Sequence, residues 1–280
     1  MRYIIGLTCQ EIINKRILHL GMVLTVLFMA FYGIGLHYIV QQPGVHSSAY
    51  LFVVQQAGYQ MLFLGWFCCT FLMGTMAILM GAGSISRELE TGTILNLASR
   101  PLSRNSIILG KYLAYGLMSL IYTMVLTGSV GLLASHFFHL HIVPAQLFWG
   151  LWLFSLLPLL LLAVTTYCST AHSTLAAGVT GFMLFAVAII GGFIEQIGAM
   201  MNNAAMVKIG VITSLLLPTD AAYRLAVHHI LGSIPMGSAE MTMSPFGVAS
   251  LPSTWAEVYI FAYLAVLLLF TLLHFSNRDL

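Results

Sequence analysis

Long apolar stretches alternate with short polar ones along the whole chain. Six stretches are close to or above the roughly 20 residues that a helix needs to cross a bilayer. They cover residues 17–40, 61–83, 112–138, 147–167, 175–194 and 255–275. The first five contain no Asp, Glu, Lys or Arg, and the sixth contains only Glu257, close to its start. Because backbone groups find no water to bond inside a bilayer, each stretch is predicted to be a transmembrane helix, which makes this an all-α membrane protein.

The composition supports this fold class. Hydrophobic residues make up 60% of the 280 residues and charged residues only 6%, whereas a soluble domain carries about 25% charged residues. The net charge of +2 gives no reason to expect a nucleic-acid partner. The run 17–40 is too long for the apolar core of a signal peptide and is expected to be retained. The four cysteines predict neither a disulfide framework nor a zinc site.

The basic residues predict the orientation of the chain. With the N-terminus in the cytosol, two basic residues, Lys208 and Arg224, lie in outer segments. The other eight lie in inner segments: Arg2, Lys15, Arg16, Arg87, Arg100, Arg104, Lys111 and Arg278. An excess of Lys and Arg marks the cytosolic side of a membrane protein. We therefore expect a multi-pass protein of the bacterial plasma membrane with both termini in the cytosol.

Two flanking regions fit this topology. Residues 1–16 mix apolar and charged positions and are predicted to form an amphipathic helix in the inner interface, although a plain extension of the first span is the alternative. In the outer region 195–254, the stretch 206–217 is apolar but too short to cross. Short outer helices are expected here, one of them starting at Pro218-Thr219-Asp220 and ending at Gly232.

Ion pairing and capping are predicted at a few positions of the outer region. Asp220 and Arg224 are four residues apart and are expected to form an ion pair on their helix. Thr254 and Glu257 form a capping box for the last span. Glu195, at the end of the fifth span, is interpreted as a carboxylate that faces water.

The loop 84–111, between the second and third spans, carries the most informative pattern. A charged helix is predicted to leave the second span and to end at Gly92, where a positive φ is expected. A second short helix, with apolar Ile94, Leu95 and Leu97, is predicted to follow and to be broken at Arg100-Pro101. Such a helix, parallel to the membrane in the cytosol, can dock into a groove on a soluble partner and pass its displacement to two spans.

This loop resembles that of the type-2 ABC exporter permeases, or ABC-2 family, which carry the pattern E-x-E-x-G-T…L…R-P-[ILV]-S-R…G-K at this place. The matching residues are Glu88, Glu90, Gly92, Thr93, Leu95, Pro101, Ser103, Arg104, Gly110 and Lys111. The resemblance implies that a separate ATP-binding subunit grips a coupling helix in this loop. A second permease, identical or a sister chain, and two ATPase subunits would complete the exporter. The residues expected to contact the ATPase are Glu88, Glu90, Gly92, Thr93, Ile94, Leu95, Leu97, Arg100, Pro101 and Arg104.

The chain itself is not predicted to be an enzyme. A P-loop requires G-x-x-x-x-G-K-[ST], but Gly110-Lys111 is followed by Tyr112, and Asn105 stands where the first glycine is needed. We therefore expect no cofactor on this chain and assign ATP and Mg²⁺ to the partner subunit.

Soft-metal binding is one interpretation of the outer histidines and methionines, because imidazole and thioether ligands suit copper. The candidates are His136, His139, His141, Met241 and Met243. Their spacing is not demanding, and packing at the membrane interface is the alternative, so no metal site is assigned.

Two other functions remain open. One is an ion-coupled secondary transporter, which normally places ionisable residues inside its spans; here Glu195 is the lone candidate. The other is a membrane sensor or immunity protein that transports nothing.

Overall fold

The computed structural model describes residues 6, 8–12, 16–41, 48–92, 104–140, 143–231, 246–248, 253 and 255–276. Within these ranges all regular structure is helical, and no strand is present. The predictions for 93–103, 232–245, Thr254 and the C-terminal residues 277–280 fall outside the described residues.

Nine helices have defined bounds within the described residues. They are α1 (Arg16–Val40), α2 (Ser48–Ala82), α3 (Ser86–Glu90), α4 (Arg104–Phe138), α5 (Pro144–Ala171), α6 (Thr174–Met200), α7 (Ala204–Leu216), α8 (Thr219–Leu231) and α9 (Ala256–Ser276). Six of them, α1, α2, α4, α5, α6 and α9, are long and apolar enough to cross a membrane. These six confirm the six predicted stretches.

Several helices extend beyond the apolar stretches that predicted them. The helix α2 begins at Ser48 rather than at 61, because Gln55, Gln56 and Gln60 lower the hydrophobicity without interrupting the helix. The helix α6 continues past 194 to Met200 and so contains Glu195. An apolar pattern therefore gives the membrane-compatible part of a helix and not its full length.

The helix α5 lies at the centre of the bundle. It packs against α2, α4, α6, α8 and α9, and its residues from Leu153 to Leu162 are almost all buried. A helix that is hydrophobic on all sides is typical of such a position. By contrast, α1 packs mainly on α2 and α4 and leaves many large apolar side chains exposed, among them Val23, Val26 and Phe31. This apolar outer surface fits contact with lipid.

The helices α7 and α8 are joined at a bend of 106° and form a helical hairpin. Gly198 of α6 lies against Met206 and Gly191 lies against Thr213, so α7 runs antiparallel to α6. The helix α8 then runs back, because Ile230, in its last turn, lies against Gly150 in the first two turns of α5. The hairpin therefore begins and ends at the same end of the bundle.

Most of α8 is inserted between the longer helices. Every residue from Ala221 to Val227 is buried. Its predicted start is confirmed, since the helix begins at Thr219. Asp220 and Arg224 also form the predicted ion pair, with 2.8 Å between Arg224 Nε and Asp220 Oδ2.

Glycine brings α7 close to α6, and replacing it is expected to separate the two helices. A Cβ atom at Gly210 would lie 2.8 Å from the backbone atoms Glu195 Cα and Gly191 O. Backbone atoms cannot rotate away, so Gly210→Ala is expected to destabilise the fold by about 1–3 kcal/mol. Denaturation of the purified protein in detergent measures this loss.

The matched control is Gly35→Ala in α1, where an added Cβ has no atom within 4 Å. This variant should leave the midpoint of denaturation unchanged or raise it slightly, because alanine favours the helix. Equal midpoints for Gly210→Ala and the parent would contradict the close packing of α6 and α7.

Candidate functional site

The segment that follows α2 is fastened to the central helix of the bundle. The chain turns after Ala82, with Ser84 N donating to Gly81 O at 3.1 Å. Ser169 Oγ of α5 then accepts hydrogen bonds from Ile85 N at 3.1 Å and from Ser86 N at 2.9 Å. Both donors stand at the start of α3, where backbone N–H groups have no helical partner. A hydroxyl of α5 therefore fixes the start of α3.

Glu88 joins α3 to α4 through a buried cation. Its carboxylate forms an ion pair with Lys111 Nζ, and the Lys111 side chain is only 4% exposed. Lys111 Nζ also donates to Ser84 O at 2.9 Å. A buried ammonium group needs such partners, because an unpaired charge inside a protein is strongly unfavourable.

Glu90 joins α3 to α6. Its carboxylate accepts hydrogen bonds from Thr174 N at 2.9 Å and from Thr174 Oγ1 at 3.3 Å. Thr174 is the first residue of α6, so the negative charge lies at the positive end of that helix. Ser86 Oγ lies 2.8 Å from Thr174 Oγ1 and adds a second polar contact between the same two helices.

A small apolar cluster completes these connections. Ile85 at the start of α3 and Ile108 of α4 are buried with Phe275 of α9, and Leu89 and Leu272 pack around them. The segment Ser84–Gly92 therefore contacts α4, α5, α6 and α9 as well as α2, from which it continues. The sequence predicted contact with only the two spans that flank the loop.

The structure brings together three of the residues predicted to contact a partner. Glu88, Glu90 and Gly92 lie on or just after α3, and Gly92 has the predicted positive φ, 68°. Arg104 begins α4, and its side chain lies outside the description. The other predicted residues, Thr93, Ile94, Leu95, Leu97, Arg100 and Pro101, lie outside the described residues. The sequence missed Ser169 and Thr174, because single hydroxyl residues in apolar stretches form no pattern.

A second polar site lies among the buried residues at the opposite end of α6. Arg224 Nη1 and Nη2 donate to Glu195 Oε1 at 2.5 Å and to Glu195 Oε2 at 2.9 Å, and Arg224 also pairs with Asp220. The side chains of Arg224, Glu195 and Asp220 are 4%, 5% and 15% exposed. We call these three residues the ion cluster.

The interpretation of Glu195 as a carboxylate facing water is wrong. The hairpin of α7 and α8 folds back over this part of α6 and places Arg224 against Glu195. Gly192 makes the close approach possible, because a Cβ atom there would collide with the Asp220 carboxylate. With two carboxylates and one guanidinium, the ion cluster can hold α8 against α6 through charge-assisted hydrogen bonds.

Aromatic side chains surround the ion cluster. Tyr223 of α8 contacts the rings of Phe67 and Phe154, and its hydroxyl lies 2.7 Å from Phe246 O. Phe193 of α6 packs on both Phe67 and Phe246. These rings exclude water from one side of the cluster, which strengthens the ionic contacts.

Only two of the five metal candidates belong to the described part of the chain. No group of three His, Cys, Asp or Glu side chains there could hold a metal ion. Of the candidates, His136 and His139 are described at the end of α4, whereas His141, Met241 and Met243 lie outside the description. The four cysteines are described, and each is a free thiol.

The helical bundle defines a multi-pass membrane protein, and comparison with known proteins gives its family. A family model described as "ABC-2 family transporter protein" matches residues 4–280. The chain therefore belongs to the ABC-2 family, whose members are membrane components of ABC transporters.

A curated relative agrees with this assignment over a short region. The chain is 41% identical over 63 residues to the "Probable ABC transporter permease protein NosY" of Pseudomonas aeruginosa. The match covers 22% of this chain and 23% of that protein.

Proposed function

We propose that this chain is the permease subunit of an ATP-driven ABC exporter in the bacterial plasma membrane. It forms the translocation pathway with a second permease half, either another copy or a sister chain. Separate ATPase subunits drive it and dock on the segment from Glu88 to Arg104. Membership of the ABC-2 family supports the class of protein. The observation that carries the coupling role is the set of contacts that ties α3 to the spanning helices.

These contacts give a route for movement from an ATPase to the bundle. A force on the segment that follows α3 displaces Glu88 and Glu90. Glu88 transmits this displacement to α4 through Lys111, and Glu90 transmits it to the start of α6 through Thr174. Ser169 and the apolar cluster extend the connection to α5 and α9. Rigid elements joined in this way can turn a local shift into a rearrangement of several helices.

ATP hydrolysis is assigned to a separate subunit, because the sequence of this chain contains no P-loop. ATP and Mg²⁺ accordingly bind to the partner subunit. This division of roles is the one that the family name implies for an ABC transporter permease.

The hairpin of α7 and α8 supports six crossings. Because the hairpin begins and ends at the same end of the bundle, the chain does not cross the membrane there, and the six spans bring α9 back to the side from which α1 starts. The basic residues put that side in the cytosol. At the N-terminus, residues 8–12 are helical, with Ile12 buried and Glu11 exposed, which supports an amphipathic helix over 1–16.

Cysteine labelling tests this topology. Thr91 and Met201 are exposed and lie near opposite ends of α6, about 40 Å apart, since Glu90 binds the first residue of that helix and Met201 follows the last. In a cysteine-free background, Thr91→Cys should react with an impermeant reagent only from the cytosol, and Met201→Cys only from outside. Labelling of both from one side would exclude the six-span arrangement.

Association with the ATPase tests the coupling role. Gly92→Val forces a β-branched residue into the left-handed region, where non-glycine residues cost about 1–2 kcal/mol, and so reorients the chain after α3. Glu90→Ala removes the contact with α6. We expect both variants to insert and fold, yet to retain less ATPase in pull-down and to lose cargo-stimulated hydrolysis.

Met201→Ala, at the far end of α6, is the matched control and should behave like the parent. If Gly92→Val and Glu90→Ala bind the ATPase and transport as well as the parent does, the segment is only a connection between two spans.

A further inference from the structure

An apolar groove of about 330 Å³ opens at the α3 end of the bundle. It lies between the N-terminal segment, α1, α2 and α6. The residues that form its apolar walls are Ile12, Leu18, Leu79, Met80, Val179 and Phe182. Its volume is in the range of small-molecule binding sites.

One cation stands at the edge of this groove. Arg87 of α3 lines it and is exposed. Within the described residues its guanidinium has no ion-pair partner, because the neighbouring carboxylates of Glu88 and Glu90 bind Lys111 and Thr174. As far as its lining is described, the groove therefore combines an apolar interior with one positive charge.

The position of the groove indicates the kind of molecule that fills it. It spans the last turn of α2 and the first turns of α6, which are the ends of two spanning helices. The ends of spans lie at the level of lipid headgroups, with the acyl chains beside the apolar turns. Basic sites between spans on the cytosolic side attract anionic headgroups.

We propose that this groove binds an acyl chain of an anionic membrane phospholipid, whose phosphate headgroup pairs with Arg87. The exposed apolar side chains of Leu175 and Val179 leave the groove open towards lipid, so a phospholipid can enter from the bilayer. The proposal does not depend on the ATPase or on the direction of transport.

Native mass spectrometry of the purified full-length chain tests the charge contribution. The probes are phosphatidylglycerol and phosphatidylcholine with identical acyl chains. A basic residue at a membrane surface contributes about 1 kcal/mol, or about fivefold in affinity. The parent should therefore bind phosphatidylglycerol about fivefold more tightly than phosphatidylcholine, and Arg87→Gln should remove this preference. Lys208→Gln, which removes an exposed cation from α7, should preserve it.

Filling the groove tests the apolar contribution. Gly178 lines the groove, and a Cβ atom there would meet only Ala82 Cβ, at 3.6 Å. Gly178→Leu should therefore be accommodated, and it should displace both lipids from the site. Val211→Leu, on the exposed surface of α7, should bind them like the parent.

Three results would each overturn the proposal. They are equal binding of the two lipids by the parent, unchanged preference in Arg87→Gln, and loss of a second protein copy instead of lipid in Gly178→Leu. The last would make the groove a contact between chains. Size-exclusion chromatography establishes that each variant is folded; if Gly178→Leu is not, the comparison of Arg87→Gln with Lys208→Gln decides alone.

Discussion

Replacing Arg224 with alanine is expected to destabilise the protein by about 3–5 kcal/mol, because it leaves the buried carboxylates of Glu195 and Asp220 without their counter-charge. Asp220 lies on α8 and Glu195 lies on α6, so the repulsion between their carboxylates would push α8 away from α6. Unfolding of the purified chain in detergent, followed by circular dichroism and size-exclusion chromatography, measures the effect. We also expect less protein in the membrane, since losses of this size commonly lower abundance.

Two controls separate charge burial from general damage. Lys208→Ala removes an exposed cation from α7 and should change the stability by no more than about 0.5 kcal/mol. The triple variant Glu195→Gln, Asp220→Asn, Arg224→Met removes all three charges and should recover much of the loss, because the cost comes from unpaired buried charge. If Arg224→Ala unfolds at the same denaturant concentration as the parent, the ion cluster does not hold α8 in place.

Replacing Glu88 with alanine is expected to cost about 3 kcal/mol, at the lower end for a buried pair because Glu88 is 17% exposed. Among the described residues, it leaves Lys111 with Ser84 O as its one hydrogen-bond acceptor. We expect the chain to insert into the membrane but to lose most of the coupling between ATP hydrolysis and transport. Cargo-stimulated ATPase activity of the reconstituted complex measures this loss.

A double-mutant cycle distinguishes the two roles that Glu88 can have. If Glu88 acts through Lys111, then Glu88→Ala, Lys111→Ala and the double variant should lose similar amounts, since residues in one ion pair are not additive. If Glu88 instead binds the ATPase, Lys111→Ala should keep the ATPase bound while Glu88→Ala releases it. Additive losses in the cycle would exclude the transmission of movement through this pair.

The sequence was sufficient to predict those features that the lipid environment alone determines. The six spans follow from the absence of charge and from the need for internal hydrogen bonds in lipid. The turn at Gly92 and the ion pair of Asp220 with Arg224 follow from local geometry, which short spacings reveal. These features depend on residues that are close together in the chain.

Contacts between distant residues could not be predicted in the same way. Glu195 and Arg224 are 29 residues apart, and only the fold of α7 and α8 brings them together. The same holds for Ser169 and Thr174, whose partners at the start and end of α3 are more than 80 residues away. A hydroxyl or carboxyl group in an apolar stretch indicates that a hydrogen-bond or ionic partner is needed, but the sequence does not identify that partner.

The ion cluster also limits how the bundle can move. Pulling α8 out alone would leave Glu195 of α6 buried without its counter-charge, because Arg224 would leave with α8, whereas moving α6, α7 and α8 together breaks none of the ionic contacts. The glycine contacts between α6 and α7 bind these helices over most of the length of α7. A rearrangement at this end of the molecule should therefore displace the three helices as one rigid body. The relative movement would then occur where these helices contact α2 and α5, and not between the helices of the hairpin.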